Sequence, residues 1–221
     1  MDQDNKKRIA AEAALDLIAS RIKDDTVIGI GTGSTTNFFI QELINKNVKV
    51  KGAICSSKKS SELLSKGSID ILSLNEVHAI DFYVDGADEF NDRNELIKGG
   101  GGALTREKIL ADSSSEFICI VDDSKFVKKL GKFPLPIEVL ELARSSIARK
   151  VVKLGGKPVW REDFVTDNGN QIIDVHNLNI EIPYELELKI NNMPGVIENG
   201  IFAHRKANTI IISNDTGVLI K

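Results

Sequence analysis

The chain has 221 residues, of which 42% are hydrophobic and 28% are charged, which are ordinary values for a globular protein. Its formal net charge of −3 gives no general attraction for nucleic acid or for an anionic membrane, so an anionic substrate requires a local positive site. No apolar run approaches the roughly 20 residues that span a membrane, and the N-terminal residues lack the apolar core of a signal peptide. We therefore expect a cytoplasmic protein with one large domain, or with one domain and a smaller companion.

The first 125 residues alternate between helical and strand patterns. Apolar residues at helical spacing, such as Ile9, Ala13 and Leu17, predict an amphipathic helix over residues 6–22. Further helices are predicted over residues 34–45, 58–66 and 105–112, and strands over residues 26–31, 48–55, 69–72, 80–85 and 117–121. Strands that alternate with helices imply right-handed crossovers and a mostly parallel sheet, so this region predicts a Rossmann-like α/β domain.

The pattern changes after Lys125. Two prolines in the segment 131–136 interrupt regular strand pairing and predict a domain boundary. Beyond it, helices are predicted over residues 139–154 and 184–191, and strands over residues 157–161, 171–175 and 196–202. The order matches the β-α-β-β-α-β unit of ferredoxin-like modules. Strand-like residues 209–213 and 218–220 are expected to return to the first domain. The predicted division is therefore a Rossmann-like catalytic domain of residues 1–130 plus 207–221 and a smaller ferredoxin-like α+β domain of residues 131–206.

A glycine-rich turn, Gly29-Ile30-Gly31-Thr32-Gly33-Ser34-Thr35-Thr36, connects the first strand with the next helix. Backbone N–H groups and hydroxyls at the positive end of a helix dipole are suited to phosphate. The turn is not a dinucleotide fingerprint, since Ser34 stands where the third glycine belongs, and it is not a P-loop, since it does not end in Gly-Lys-Ser/Thr. A purely structural turn, with Ser34 or Thr35 as the helix N-cap, is the alternative. The hydroxyl residues after Gly33 outnumber what a cap needs and favour the anion site.

Four consecutive glycines, Gly99 to Gly102, stand between Lys98 and a predicted helix start. Glycines add nothing to a core and lose the most entropy on ordering, so such a run indicates a place where the backbone approaches something closely. An acidic cluster, Asp85-Gly86-Ala87-Asp88-Glu89, lies upstream and directly follows a predicted strand. Ligands of open parallel sheets bind outside the carboxyl ends of the strands, and the acidic cluster and the glycine-rich turn both follow such ends.

Three interpretations of the acidic cluster compete. It is a solvated acidic turn, or a divalent metal site with oxygen ligands, which suits magnesium but has no histidine nearby and has Lys98 as an electrostatic competitor. The third interpretation is a metal-free acid–base site for a sugar-like polyol, in which carboxylates accept hydroxyl hydrogen bonds and Lys98 steadies a developing oxyanion. Glu107 would then move a proton. Taken alone, Glu107 is explained as an acid that the dipole favours in a first helical turn, but its place after the glycine run favours a catalytic role.

The ordered set of these segments resembles the ribose-5-phosphate isomerases of the A type over essentially the whole chain. The turn 31–35, the cluster 85–89 and the run 98–108 stand in that family's order and separation. Further matches are Phe117-Ile-Cys-Ile, Asp123-Ser-Lys125, Gly131-Lys-Phe-Pro-Leu-Pro, Lys153-Leu-Gly-Gly and Thr166-Asp-Asn-Gly-Asn. Gly102 is a mild departure, because the family often has alanine there.

The resemblance implies interconversion of D-ribose 5-phosphate and D-ribulose 5-phosphate in the non-oxidative pentose phosphate pathway, without a metal or other cofactor. It implies Glu107 as the general base, Lys98 as the group that stabilises the enediolate, and Asp85 as an aid to ring opening. The substrate-binding residues that it implies are Thr32, Gly33, Ser34, Thr35, Asp85, Gly86, Ala87, Asp88, Lys98, Gly99, Gly100, Gly101 and Lys125, with Lys7 as a looser match near the phosphate. It also implies a homodimer or tetramer to which the smaller domain contributes.

Two other functions stay open at this point. A non-catalytic sugar-phosphate sensor could use the same kind of fold, since function resides in the site. Such a sensor needs phosphate contacts but no base, so the presence of Glu107 with Lys98 argues against it. A nicotinamide-dependent dehydrogenase is disfavoured because the dinucleotide fingerprint fails.

Overall fold

The computed structural model describes residues 1–221 and contains six α-helices and thirteen strands. The helices are α1 (Gln3–Ala19), α2 (Ser34–Asn45), α3 (Lys58–Lys66), α4 (Leu104–Asp112), α5 (Arg144–Lys153) and α6 (Pro183–Asn191). The strands are β1 (Val27–Ile30), β2 (Gly52–Cys55), β3 (Ile80–Asp85), β4 (Glu89–Phe90), β5 (Leu96–Ile97), β6 (Ser114–Asp122), β7 (Leu135–Val139), β8 (Lys157–Trp160), β9 (Gln171–His176), β10 (Val196–Asn199), β11 (Ile201–Phe202), β12 (Thr209–Asn214) and β13 (Gly217–Ile220). No helix combines the length and the apolar character needed to cross a membrane.

The chain groups into two compact units. The first consists of Met1–Gly86, Arg106–Lys125 and Ala207–Lys221, and the second of Ala87–Thr105 and Phe126–Lys206. The division inferred from the sequence assigned residues 87–105 and 126–130 to the first domain, whereas in the structure they belong to the second unit.

The first unit is built on a six-stranded sheet in the order β13-β12-β6-β3-β1-β2. All neighbouring strands are parallel except the pair β12 and β13, which is antiparallel. This arrangement confirms the mostly parallel Rossmann-like sheet. Ala14 and Ile18 of α1 and Phe39 of α2 are buried in the same core as Ile28 and Ile30 of β1.

Helix starts in the first unit follow the local side-chain chemistry. Asp2 caps α1 by accepting from the Asn5 backbone N–H at 2.7 Å, and Ser57 caps α3 by accepting from the Ser60 N–H at 3.2 Å.

The strand predicted over residues 69–72 is wrong. Only one bridge, between Ile71 and Ala53, forms there, because Ser73 caps a 3-10 turn directly afterwards.

The second unit has a four-stranded antiparallel sheet in the order β10-β7-β9-β8. Its chain order β7-α5-β8-β9-α6-β10 is the ferredoxin-like β-α-β-β-α-β unit. Its core contains Ile147 and Val151 of α5 and Ile190 of α6, together with the inward side chains of the sheet. A separate three-stranded sheet, in the order β11-β5-β4, carries the acidic and glycine-rich segments of this unit.

Two predictions around residue 136 differ from the structure. The sequence analysis treated residues 131–136 as a boundary, but residues 135 and 136 belong to β7, which lies in the interior of the four-stranded sheet. Pro136 is accommodated because it pairs with β9 and its carbonyl accepts from Gly200 N–H at 2.8 Å, one residue beyond the end of β10. The helix predicted from residue 139 begins only at Arg144, after a 3-10 turn at Glu141–Ala143.

Candidate active site

The parallel sheet of the first unit changes its strand order at β1, because β2 lies on one side of β1 while β3 and β6 lie on the other. Ligands of open α/β sheets bind at such a switch point, outside the carboxyl ends of the strands. The segments that leave these ends are residues 31–36 after β1, Gly86 after β3 and residues 123–125 after β6. These segments therefore form the edge of the sheet at which a ligand is expected.

Gly31 marks the closest approach between the two central loops. A Cβ atom at this position would lie 1.8 Å from Cγ of Asp85, so any larger residue displaces the carboxylate. The backbone N–H of Thr32 donates to Asp85 Oδ1 at 3.0 Å. Position 31, which the sequence analysis connected with phosphate binding, therefore requires glycine because the Asp85 carboxylate occupies the space of a Cβ atom.

Asp85 is fully buried and accepts hydrogen bonds from several sides. Its Oδ1 accepts from the Gly86 N–H at 2.7 Å and from the Thr36 hydroxyl at 3.3 Å, in addition to Thr32. Its Oδ2 accepts from the Tyr83 hydroxyl. Burial of a charge is tolerated where hydrogen bonds replace the lost water, and these donors supply that replacement. The carboxylate therefore joins the turn after β1 to the end of β3.

The negative charges of Asp85 and Glu107 both affect the Tyr83 hydroxyl. Its ring is fully buried and lies 5.0 Å from the Phe117 ring, centroid to centroid. Burial raises the pKa of the Tyr83 hydroxyl well above its usual value, and the negative charges of Asp85 and Glu107 raise it further. Tyr83 consequently stays protonated and donates to Asp85. Glu107, in the first turn of α4, is 3% exposed, and its negative charge is one of the causes that raise the pKa of the Tyr83 hydroxyl.

The start of α2 lacks a side-chain cap. Its N-cap is Gly33, with a φ of +116°, and no side chain bonds to the first amides of the helix. The alternative in which Ser34 or Thr35 caps the helix is therefore wrong. Gly33 and Ser34 are both exposed. Open amides at the positive end of a twelve-residue helix are well suited to a phosphate group.

Two serines after β2 support the turn that follows β1. The Ser56 and Thr32 hydroxyl oxygens lie 2.8 Å apart in a hydrogen bond. The Ser60 hydroxyl donates to the carbonyl of Gly31 at 2.7 Å. Both serines are buried, so they hold the turn in one conformation.

Two lysines were expected near the phosphate, and they differ in their surroundings. Lys125 ends the 3-10 turn after β6, where Asp122 accepts from the Ser124 N–H at 2.9 Å. Lys7 bonds to Asp4 of its own helix at 3.0 Å. The neighbouring Lys6 is the residue that connects α1 to the turn after β6, through Asp123 at 3.0 Å. Lys125 thus lies at the expected sheet edge, whereas the ammonium of Lys7 is directed to its own helix.

Lys98 belongs to the second unit and directly follows β5. It is 2% exposed, and its backbone N–H donates to the Gly200 carbonyl at 2.9 Å. Its ammonium nitrogen lies 5.6 Å from the centroid of the Phe202 ring, a distance at which a cation is attracted to an aromatic face. A buried cation held in this way can stabilise a negative oxygen strongly, because little water competes.

The glycine run is held in place within the second unit. Asp88 Oδ2 accepts from the Gly100 N–H at 2.8 Å, and a Cβ atom at Gly100 would lie 2.6 Å from Asp88 Oδ1. Gly99 and Gly102 have φ values of +102° and +82°, which favour glycine. Asp88 therefore binds backbone with one of its carboxylate oxygens. No group of three or more His, Cys, Asp or Glu side chains comes together as a metal site.

The sequence analysis did not identify Tyr83, Ser56 or Ser60. Tyr83 precedes Asp85 by two residues on one strand, and alternate strand residues point to the same face, so this spacing was an available signal. Ser56 follows the end of β2 and falls under the same carboxyl-end rule that selected Asp85. Ser60 lies inside α3, and nothing local to its sequence indicates that its hydroxyl reaches Gly31.

The fold and these residues define an α/β protein whose first unit contains a helix start without a side-chain cap and two buried carboxylates, Asp85 and Glu107. Residues 52–217 match the family model of ribose 5-phosphate isomerase A (phosphoriboisomerase A). A ribose-5-phosphate isomerase A of Legionella pneumophila (strain Corby) is 54% identical over 209 residues, which cover 95% of each chain. The chain therefore belongs to the ribose 5-phosphate isomerase A family, as the resemblance in sequence implied, and it is an enzyme of this type rather than a sensor.

Solved structures agree with this assignment. The crystal structure of ribose 5 phosphate isomerase A from Neisseria gonorrhoeae matches with a TM-score of 0.95 and 49% identity, over 99% of this chain and 96% of that one. A D-ribose-5-phosphate isomerase in complex with phospho-erythronic acid matches with a TM-score of 0.94 and 40% identity, over 100% of this chain and 99% of that one. The fold is therefore that of the family over the whole chain.

Proposed function

We propose that this enzyme interconverts D-ribose 5-phosphate and D-ribulose 5-phosphate through an enediolate, with Glu107 as the base. The observation that carries the proposal is the burial of the Glu107 carboxylate in the same unit as the hydrogen-bonded pair of Tyr83 and Asp85, whose hydroxyl has its pKa raised in part by the Glu107 charge. An exposed acid at a helix start would need no function, whereas buried titratable groups whose charges influence one another are typical of functional sites.

In the proposed reaction Glu107 removes the proton from C2 of the open-chain aldose. The C–H electron pair forms the C1–C2 double bond, and the carbonyl pair moves onto O1, where Lys98 stabilises the charge. Glu107 returns the proton to C1, O1 gains a proton and O2 loses one, which leaves the ketone at C2. Asp85 assists ring opening and the proton movement between the two oxygens. All atoms and electrons are retained, so the step needs no external oxidant or reductant.

The remaining residues bind the substrate in this proposal. The turn from Thr32 to Thr35 takes the phosphate at the open start of α2, Lys125 supplies positive charge from the turn after β6, and Lys7 contributes after its ammonium leaves Asp4. Asp88 and the backbone of Gly86, Ala87 and Gly99 to Gly101 bind the sugar. The relative bound to phospho-erythronic acid supports this, because that ligand combines a phosphate with a carboxylate shaped like an enediolate. Binding energy from the distant phosphate can then orient the reacting carbons.

Replacement of the base tests the proposal directly. Glu107→Gln should retain substrate binding, measured by calorimetry, and lose turnover by about 10²-fold or more, since this is the usual contribution of a general base. Glu116→Gln is the matched control, because Glu116 lies in the same unit and pairs with Arg21 at 2.6 Å. Near-normal turnover of the Glu107 variant would show that another group is the base.

Metal independence is tested in the same assay. Turnover of the wild-type enzyme in excess EDTA should equal that in its absence, because Lys98 supplies the positive charge that a metal would provide. Loss of activity that a divalent cation restores would instead support the metal interpretation of the acidic cluster.

We also propose that the enzyme works as a homodimer or tetramer in the non-oxidative pentose phosphate pathway. The family resemblance supports this, and exposed apolar side chains of the second unit, Leu142 and Ile182 among them, are available for assembly. Light scattering at micromolar concentration should give a mass of at least twice 24.2 kDa. A single-chain mass would contradict the proposal.

A further inference from the structure

The connection between β8 and β9, residues 161–170, contacts the glycine segment Gly99–Gly102 within the second unit. Arg161 Nη1 donates to the carbonyl of Gly100 at 3.2 Å and lies 3.5 Å from the carbonyl of Gly99. Arg161 Nη2 lies 3.5 Å from the same Gly99 oxygen. One guanidinium therefore contacts two successive peptide carbonyls of the segment.

Arg161 is itself held firmly. Its Nε and Nη2 donate to the two carboxylate oxygens of Asp174, at 2.8 Å and 2.6 Å. Its guanidinium carbon lies 5.2 Å from the centroid of the Phe164 ring. Bidentate pairing and an aromatic neighbour restrict the side chain to one orientation, which a lysine cannot reproduce. The side chains of Arg161 and Asp174 are each about 20% exposed, so water screens the pair only in part.

The peptide of Gly100 is engaged on both sides. Its N–H donates to Asp88 and its C=O accepts from Arg161, so the orientation of this residue is set by two separate side chains. Further along, the Gly102 backbone lies directly against Phe164, since a Cβ atom there would be 2.1 Å from Phe164 Cζ. Gly102 thus makes room for a ring from the connection.

The start of α4, which follows the glycine segment in the chain, is bound to the same connection through Glu138. Glu138 of β7 is fully buried and accepts from the Thr105 hydroxyl at the start of α4. It also accepts from the Thr166 hydroxyl at 2.8 Å and from the side-chain amides of Asn170 and Asn168 at 2.9 and 3.2 Å. One carboxylate therefore joins the connection to the residue two positions before Glu107 in the chain.

We propose that Arg161 is a positioning residue for the substrate, acting through the peptides of Gly99 and Gly100. The connection 161–170 keeps the glycine segment ordered before substrate arrives, in place of a flap that orders only on binding. This inference rests on the proposed function, in which Gly99 to Gly101 bind the sugar. Ordering these residues in advance removes an entropy cost from the binding step, because glycine has the most backbone freedom to lose.

The test compares Arg161→Lys and Asp174→Asn with a control, Arg144→Lys. Arg144, the first residue of α5, lies with its guanidinium carbon 3.9 Å from the centroid of the Trp160 ring and donates to Gln171 at 3.0 Å, so it contacts β8 and β9 of the same sheet without touching the glycine segment. In the unliganded protein, hydrogen exchange of amides 99–102 should be faster in both test variants and unchanged in the control. kcat/KM should fall by about tenfold in the test variants, the scale of one backbone residue left unordered, while Tm changes no more than in the control.

Each outcome is decisive for the proposal. Unchanged exchange at residues 99–102 together with unchanged kcat/KM overturns it. A lower Tm with unchanged exchange and unchanged kcat/KM assigns Arg161 a structural role only and also overturns it. Absence of isomerase activity in the wild-type protein would contradict the proposed function, and the exchange measurement would still decide whether Arg161 orders the glycine segment.

Discussion

At the scale of single residues, Asp85 shows how one buried carboxylate serves two purposes. Its Oδ1 organises the turn after β1 through Thr32 and Thr36, and its Oδ2 accepts from Tyr83. A side chain so constrained cannot rotate freely, so any chemistry it performs occurs at a defined position. The catalytic role inferred from the sequence and the structural role seen in the fold are therefore compatible.

Tyr83→Phe should destabilise the protein without changing its shape. The substitution leaves a buried carboxylate oxygen without one donor, which costs about 1–3 kcal/mol in the free energy of unfolding. Urea denaturation measures this cost, and kcat should fall with it because Asp85 loses one of its restraints. Tyr184→Phe is the matched control, since Tyr184 is 48% exposed and stacks on His204 at 3.8 Å. Equal effects of the two substitutions would contradict the role given to Tyr83.

At the residue scale, the sequence selects candidate residues but does not assign their contacts. Gly31 and Asp85 stand out by their position at strand ends, and Glu107 stands out by its place after the glycine run. Gly31 is needed because Asp85 occupies the space of its Cβ atom. This contact exists only because β1 and β3 are neighbours in the sheet, although Thr32 and Asp85 are 53 residues apart in the chain. No local pattern carries that information.

At the scale of elements, α3 supports the turn after β1 as well as the core. Ser57 caps the helix, and Ser60, one turn in, donates to the Gly31 carbonyl at 2.7 Å. The short helix thus fixes the turn after β1 although it follows a different strand. Ser57 is explained by the cap and Ser60 by its contact with Gly31, rather than by helix propensity, which disfavours serine in a helix interior.

Ser60→Ala should loosen the turn after β1. The substitution removes the donor to a buried carbonyl, at a cost of about 1–3 kcal/mol in unfolding free energy, and the turn then has to be ordered by the phosphate. We expect a higher KM for ribose 5-phosphate with a smaller change in kcat, measured by steady-state kinetics. Ser61→Ala controls for the loss of a hydroxyl on the same helix, because Ser61 bonds to the Ser57 carbonyl instead. A KM equal to that of the wild type would contradict this role of α3.

Element prediction from periodicity was accurate where the pattern was local. The bounds of α2, α3 and β3 coincide with those predicted, because caps and apolar spacing define them. Strand β7 was missed because Pro136 argues against a central strand, and only the register with β9 and the end of β10 explain why it is tolerated. Strands β4 and β5 were missed because two residues are too few to show a period.

At the scale of the whole molecule, the pH dependence of stability reflects buried acids that resist ionisation. Burial raises the pKa of the Cys55 thiol from 9.0 to about 11, and it raises that of Tyr83 above 10.0. The unfolded chain therefore releases these protons at lower pH than the folded one. Since stability falls with pH wherever the folded state binds more protons, the free energy of unfolding should decrease above pH 9.

Cys55→Ala isolates the thiol's share of this decrease. Below pH 9 the difference in unfolding free energy between wild type and variant should be constant. Between pH 9 and 11 the wild type should lose up to about 2 kcal/mol more than the variant, as expected for the two pKa values. Urea titrations at a series of pH values measure the two curves, and contributions from Tyr83 cancel because both proteins contain it. Parallel curves from pH 8 to 11 would show that Cys55 does not titrate in this way.

The amino-acid sequence by itself determined the order of helices and strands, the Rossmann-like and ferredoxin-like parts, the family and the residue types of the site. These follow from periodicity, caps and ordered motifs, which are properties of neighbours along the chain. The tertiary structure alone decided that Tyr83 donates to Asp85, that Ser60 holds Gly31, and that Arg161 and Glu138 hold the glycine segment at its two ends. Those contacts depend on sheet order and register, because hydrogen bonds require distances near 3 Å between groups that the sequence separates by tens of residues.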